Sequence, residues 1–163
     1  EDSVATAAKF AARKAASAFF NSVDYAHGNF TYLMTAGDGP PGYSGENVVA
    51  SDPKVRVYAM RRADKAAAYL WVQHRDYLWS KASTTPSAVS PAITVSNLLN
   101  AAYRVEIWNT ATGALISQQI QTPSGGSLSV QVSGLTKDVA IKIDSTTSGG
   151  TPPAPPTNLR IVP

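Results

Sequence analysis

The sequence predicts a mainly β protein: an antiparallel β-sandwich of seven or eight strands, preceded by an Ala-rich α-helix. Three observations carry that prediction. The apolar period changes from helical to two-residue near Lys54. Short alternating segments then recur, each closed by a turn signal such as Thr112-Gly113 or Ser124-Gly125-Gly126. Finally, charged residues are only 15% of the 163-residue chain, while Thr, Ser, Gly and Ala are abundant, which suits an extracellular β-protein.

The first element is "SVATAAKFAARKAASAFFNS", residues 3–22. Alanine is the best helix former, and Asp2 or Ser3 can cap the start. Val4, Ala8, Ala11, Ala15, Ala18 and Phe19 form one stripe, so the helix is expected to dock on the sandwich. "NFTYLMTAG" has the look of a strand, and "GDGPPGYSG" after it must be a loop. Residues 1–53 therefore read as a helix and a Gly/Pro-rich loop packing on the sandwich.

The sandwich itself is read over 54–144. "KVRVYAMRR" and "AAAYLWVQ" alternate, with Ala63-Asp64-Lys65 between them, and make a hairpin. "ASTTPSAVSP" is a polar connection. "AITVSNL", "AYRVEIWNT", "LISQQIQT", "SLSVQVSG" and "DVAIKID" complete the strands. Residues 145–163 are rich in Ser, Thr, Gly and Pro and read as a linker or tail. Its "NLRIV" suits either the first strand of a following domain or a segment pairing back onto this one.

Composition excludes several functions. There is no cysteine, hence no disulfide framework, thiol nucleophile or cysteine zinc site. The net charge of +3 is spread out, with no basic block of the kind nucleic acid requires. No run approaches the ~20 apolar residues of a membrane span. The N-terminus begins with acids and lacks a basic n-region, so it does not read as a signal peptide. Asp24, Asp38 and Glu46 are too sparse for a metal loop, and no cofactor is expected; a structural calcium has no support in the sequence.

Alternation sorts the side chains onto two faces. Val55, Val57 and Ala59 share one, as do Ala68, Leu70 and Val72. These are natural core. The opposite face carries Arg56, Tyr58, Met60, Tyr69, Trp71 and Gln73, and is too apolar to sit bare in water. Tyr58, Tyr69 and Trp71 are therefore read as a packing face, covered by the helix, a catalytic domain or a glycan. Tyr77 and Trp79 lie past the strand, and Trp108 lies at a strand end beside the Thr112-Gly113 turn. With Arg75 they are the candidate carbohydrate or partner contacts, because aromatic rings stack on the apolar faces of sugars. For Arg75 the structural alternative is an ion pair with Asp76 or a domain-docking corner.

The segments "VRVYAMRRADKAAAYLWVQHRDYLW", "AITVSNLLNAAYRVEIWNTATGALI" and "GSLSVQVSGLTKDVAIKI" resemble the C-terminal β-sandwich of bacterial glycoside hydrolases built on a (β/α)8 barrel. The residues carrying the likeness are Tyr69, Trp71, Trp79, Tyr103, Glu106, Trp108, Thr112, Gly113, Asp138, Ala140 and Lys142. Asn109 departs from the Asp such sandwiches often carry after the Trp. By the same likeness "AAKFAARKAASAFF" resembles a terminal barrel helix. The resemblance implies no catalytic residue in this chain, since a barrel needs about 250 residues. Nor do the eleven acidic residues offer a pair placed for glycoside cleavage.

Two functions follow as expectations. One is a non-catalytic accessory module of a secreted carbohydrate-active protein, binding polysaccharide or buttressing a catalytic barrel. The other is a structural subunit of an extracellular assembly or filament, self-associating through its terminal segments. An independent small enzyme is disfavoured, because no convergent acid-base set is evident.

Overall fold

The computed structural model describes residues 10, 13–21, 23, 25, 28–41, 45–78 and 84–146. Those residues form a helix, α1, over 13–20, and nine strands. The strands are β1 (Phe30–Met34), β2 (Val48–Ala50), β3 (Val55–Arg62), β4 (Ala67–His74), β5 (Ala92–Val95), β6 (Tyr103–Asn109), β7 (Leu115–Gln121), β8 (Leu128–Gln131) and β9 (Asp138–Ser145). They make two antiparallel sheets. One is six-stranded, in the order β1-β3-β4-β9-β6-β7, and the other is β2-β5-β8. The chain is mainly β, as its two-residue period predicts.

One face of the large sheet packs on the small one. The core between them is aliphatic: Val55, Val57, Leu70, Val72, Val105, Ile141 and Ile143 from the large sheet meet Val48, Ile93, Val95, Leu128 and Val130 from the small. Burying side chains of this kind contributes about 1.5–3 kcal/mol each. Tyr103 is also fully buried here, and its hydroxyl donates to the carbonyl of Lys65 at 2.8 Å in the β3–β4 turn. A core tyrosine needs such a partner for its polar tip.

The sandwich reaches back before Lys54, where the change of apolar period places its start. Strand β1 pairs with β3 in register Tyr32↔Met60, and β2 pairs with β5. β1 falls within "NFTYLMTAG", read as a strand, whereas β2 has only three residues after a Gly/Pro-rich stretch and builds no period to read. A bidentate ion pair holds that stretch. Asp38 accepts from Arg75 Nη1 at 2.5 Å and Nη2 at 2.6 Å, and from the Thr35 hydroxyl at 2.5 Å. Arg75 Nε donates to the carbonyl of Pro53 at 2.8 Å.

Helix α1 lies on the other face of the large sheet. Ala15 and Phe19 are buried one turn apart, and Val23 continues the line beyond the helix. Ala18, expected on the buried stripe, is exposed. The helix sits so close to the β6–β7 turn that a Cβ on Gly113 would come within 2.7 Å of Ala15 Cα. Gly113 also has φ +69°, so glycine is needed there twice over. Asn109 shapes the same turn, its side-chain oxygen accepting from the N–H groups of Ala111 and Thr112. An Asp oxygen would do this equally well, which accounts for the Asn at this position.

Residues 3–9, 11, 12 and 22 of the expected helix, and residues 147–163 of the expected linker with its "NLRIV", lie outside the described residues. No helix among the described residues is long and apolar enough to cross a membrane.

Candidate functional site

The outer face of the large sheet is a grid. Cross-strand register places Met34, Tyr58, Trp71, Ala140, Trp108 and Leu115 in one row, from β1 to β7. The next row is Tyr32, Met60, Tyr69, Lys142, Glu106 and Gln118. Helix α1 covers part of the grid. Phe19 and Val23 pack with Tyr69 and Ala67, and against Met60, Trp108 and Ala140. The uncovered part is a groove of about 560 Å³, within the ~300–1,000 Å³ of small-ligand clefts. It is lined by Tyr32, Tyr58, Met60, Trp71 and Ala140 of the sheet, with Phe20 of α1 and Tyr77.

Two indoles flank Ala140, and each is held by its N–H. Trp71 Nε1 donates to Asp138 Oδ2 at 3.1 Å, and the other carboxylate oxygen accepts from the Thr110 hydroxyl at 2.6 Å. Trp108 Nε1 donates to Glu106 Oε2 at 3.0 Å. Anchoring a ring by its edge leaves its face free to stack. Trp71 is 50% exposed and Tyr58 38% exposed. These two were read as a packing face covered by the helix, a catalytic domain or a glycan; the helix covers Tyr69 but leaves both of them exposed, and they form the open part of the groove. Tyr58 is backed by Arg56, whose guanidinium carbon lies 6.0 Å from the ring centroid. Arg56 Nε in turn donates to Gln73 Oε1 at 2.7 Å.

Beneath α1 the face is charged and buried. Lys142 Nζ lies 5.1 Å from the Phe19 ring centroid and 5.3 Å from that of Trp108. Burial lowers its pKa from the ordinary lysine value, against the pull of Glu106 and Asp144. Asp144 is pushed above the usual carboxylate range by burial, although it accepts from the Tyr69 hydroxyl at 2.9 Å. Burial, and then the neighbouring Asp144, raise the Tyr69 phenol in turn. Arg104 Nε pairs with Glu106 Oε1 at 3.1 Å.

Of the candidate contacts, Tyr77 and Trp108 both line the groove, with Lys137 Nζ 5.6 Å from the Tyr77 ring centroid. Trp79 lies outside the described residues. The guanidinium of Arg75 is engaged by Asp38 and Pro53, in a salt bridge with Asp38 rather than with its neighbour Asp76. Arg75 and Asp76 both lie in the turn after β4, where the Arg75 side chain turns back to Asp38 and Pro53 instead. Asp138, Thr110 and Asn109 border the groove and were not singled out as contacts. The signal for Asp138 was its place on the same face as Trp71, one strand over.

Fold and groove together define a class: a two-sheet antiparallel module with a helix on the outer face and an aromatic groove beside it. No family model and no curated protein matches the sequence. Among solved structures the chain is similar to CelM2, a bifunctional glucanase-xylanase protein from a metagenome library. The identity is 16% and the TM-score 0.37, over 60% of this chain and 17% of that one. The chain therefore spans less than a fifth of that protein's length.

Proposed function

We propose that this chain is a non-catalytic accessory module of a secreted carbohydrate-active protein, and that it binds polysaccharide along the outer-face groove. The observation that carries the reading is the open pair of Tyr58 and Trp71, neighbours across β3 and β4, with Trp108 half-buried beside α1 in the same row and both indole N–H groups tied down to carboxylates. Ring faces held in this way suit the C–H faces of sugar rings, and hydroxyls of the same sugars find Asp138, Asn109 and Thr110 at the border. A non-catalytic role is supported by how the carboxylates are used. Asp138 is engaged by Trp71 and Thr110, Glu106 by Trp108 and Arg104, and Asp144 by Tyr69.

A second reading has the same face buttressing an adjacent catalytic domain. The apolar side chains of Phe20, Tyr32 and Met60 along the groove favour it. Affinity electrophoresis in soluble β-glucans, xylans and mannans separates the two. Carbohydrate binding predicts that the parent is retarded in at least one glycan, and that Tyr58→Ala abolishes the retardation. Free migration of the parent in every glycan favours the buttress instead.

A further inference from the structure

Strand β7 ends the large sheet, and its outer edge is unpaired among the described residues. Natural proteins protect such edges with charges, prolines, bulges or short strands. β7 has seven residues, "LISQQIQ", with neither charge nor proline. Its register shift against β6 falls at Ile107/Trp108, where Ile116 is the extra residue, and Ser117 to Gln121 are regular. Ile116 and Ile120 are 55% and 60% exposed. The opposite edge is different. β1 is five residues long, with Leu33 buried and Phe30 packed against Tyr25 and Tyr69.

We propose that β7 pairs antiparallel with β7 of a second copy of this chain, in a two-fold register centred on Gln118. The backbone and the side chains both support that register. Thr146 N–H donates to Ala102 O, and Asn109 N–H to Ala114 O. Even-numbered residues of β6 thus face β9, and Tyr103, Val105 and Ile107 face β7, where their partners are Gln121, Gln119 and Ser117. It follows that Gln118 and Ile120 aim their N–H and C=O groups at the free edge, while Ile116 is the extra residue of the bulge. A two-fold centred on Gln118 makes Gln118 a hydrogen-bonded pair with its own counterpart, and sets Ile120 opposite Ile116 of the second copy, twice, at the bulged end of the strand.

The side chains match in the same register. Each isoleucine covers an isoleucine, the central pair is amide on amide, and no like charges meet. The interface is isologous and closes at two copies. Gln118 and Ile120 pair with Glu106 and Arg104 on the groove face, so pairing joins the two outer faces into one continuous surface.

The test is the mass of the full chain by light scattering over a concentration series. The parent is expected to dimerise. Gln118→Lys and Gln118→Glu each place like charges opposite each other at the two-fold, and each is expected to be monomeric, with a far-UV circular dichroism spectrum like the parent's. An equimolar mixture of the two is expected to recover the dimer, because Lys then faces Glu. A parent that stays monomeric throughout overturns the proposal, as does a dimeric Gln118→Lys. Failure of the mixture to recover the dimer overturns the register.

Discussion

The two faces of the six-stranded sheet come from the same strands, and they solve different problems. The inner face is mainly aliphatic and is covered by the three-stranded sheet over its central strands, with Val57, Val72 and Ile141 fully buried. The outer face alternates rings with charges and is only partly covered by α1. Stability concentrates on the first face, because apolar area removed from water is what stabilises. The second face keeps Trp71 and Tyr58 half open and holds their neighbours in place with hydrogen bonds. Substitutions on the two faces should therefore separate stability from binding.

The largest effect is expected on the inner face. Ile141 is fully buried at the centre of the core. Ile141→Ala should cost about 2–5 kcal/mol, the range for deleting a large aliphatic side chain from a packed core. Urea unfolding measures it, and a loss under 1 kcal/mol would mean that the two sheets do not close on each other as described.

Next comes the clamp joining the Gly/Pro-rich stretch to the end of β4. Asp38→Asn should cost about 2 kcal/mol at neutral pH, since charge-assisted hydrogen bonds contribute more than neutral ones while Arg75 remains partly open to solvent. The pH dependence carries a sign. Burial pushes the Asp38 carboxyl up, but Arg75 and Thr35 together hold it below its ordinary value. A folded pKa below the unfolded one stabilises at pH above the unfolded value, about 3.9, and that stability is lost as pH falls through the folded one. The parent should therefore lose stability below about pH 4 more steeply than Asp38→Asn. Parallel slopes in acid melting curves would remove Asp38 from the account.

These contacts show what could be read from the sequence. The inner face was legible residue by residue, because a period of two assigns Leu70, Val72, Val105 and Ile107 to one side. The pairing of Arg75 with Asp38 was not, since it joins positions 37 residues apart and nothing in either segment's pattern points to the other. Strand β2, three residues long, was missed because so short a run has no period. The period also placed Tyr58, Tyr69 and Trp71 on one face correctly, but coverage is a tertiary property. Where α1 stops decides that Tyr69 is buried and Trp71 is open.

The border between covered and open can be moved. Gly113→Ala adds a methyl against Ala15 at a backbone angle that costs about 1–2 kcal/mol for an L-residue. The helix should lift while the sandwich stays folded. Hydrogen exchange should speed up in residues 13–20 and remain slow in β4 and β9. Uniform acceleration across both would mean that helix and sandwich unfold together.

The smallest effect on stability, and the sharpest contrast between the faces, is expected at Trp71. A buried aromatic cut to alanine costs about 3–5 kcal/mol, and that would hold if Trp71 lay beneath α1. It lies half open, with one hydrogen bond, to Asp138. Trp71→Ala should therefore cost about 1 kcal/mol, because the bond to the Asp138 carboxylate is exposed and screened by solvent. Trp71→Phe separates the ring from that bond. It keeps an aromatic face over the groove but has no N–H for Asp138, so it should bind glycan more weakly than the parent and better than Trp71→Ala. Thermal melting beside affinity electrophoresis reads both properties on the same samples. If Trp71→Ala melts as low as Ile141→Ala, the outer face is core after all, and the contrast between the two faces fails. If both Trp71 variants melt near the parent and migrate as it does in every glycan that retards it, Trp71 is no part of the binding surface.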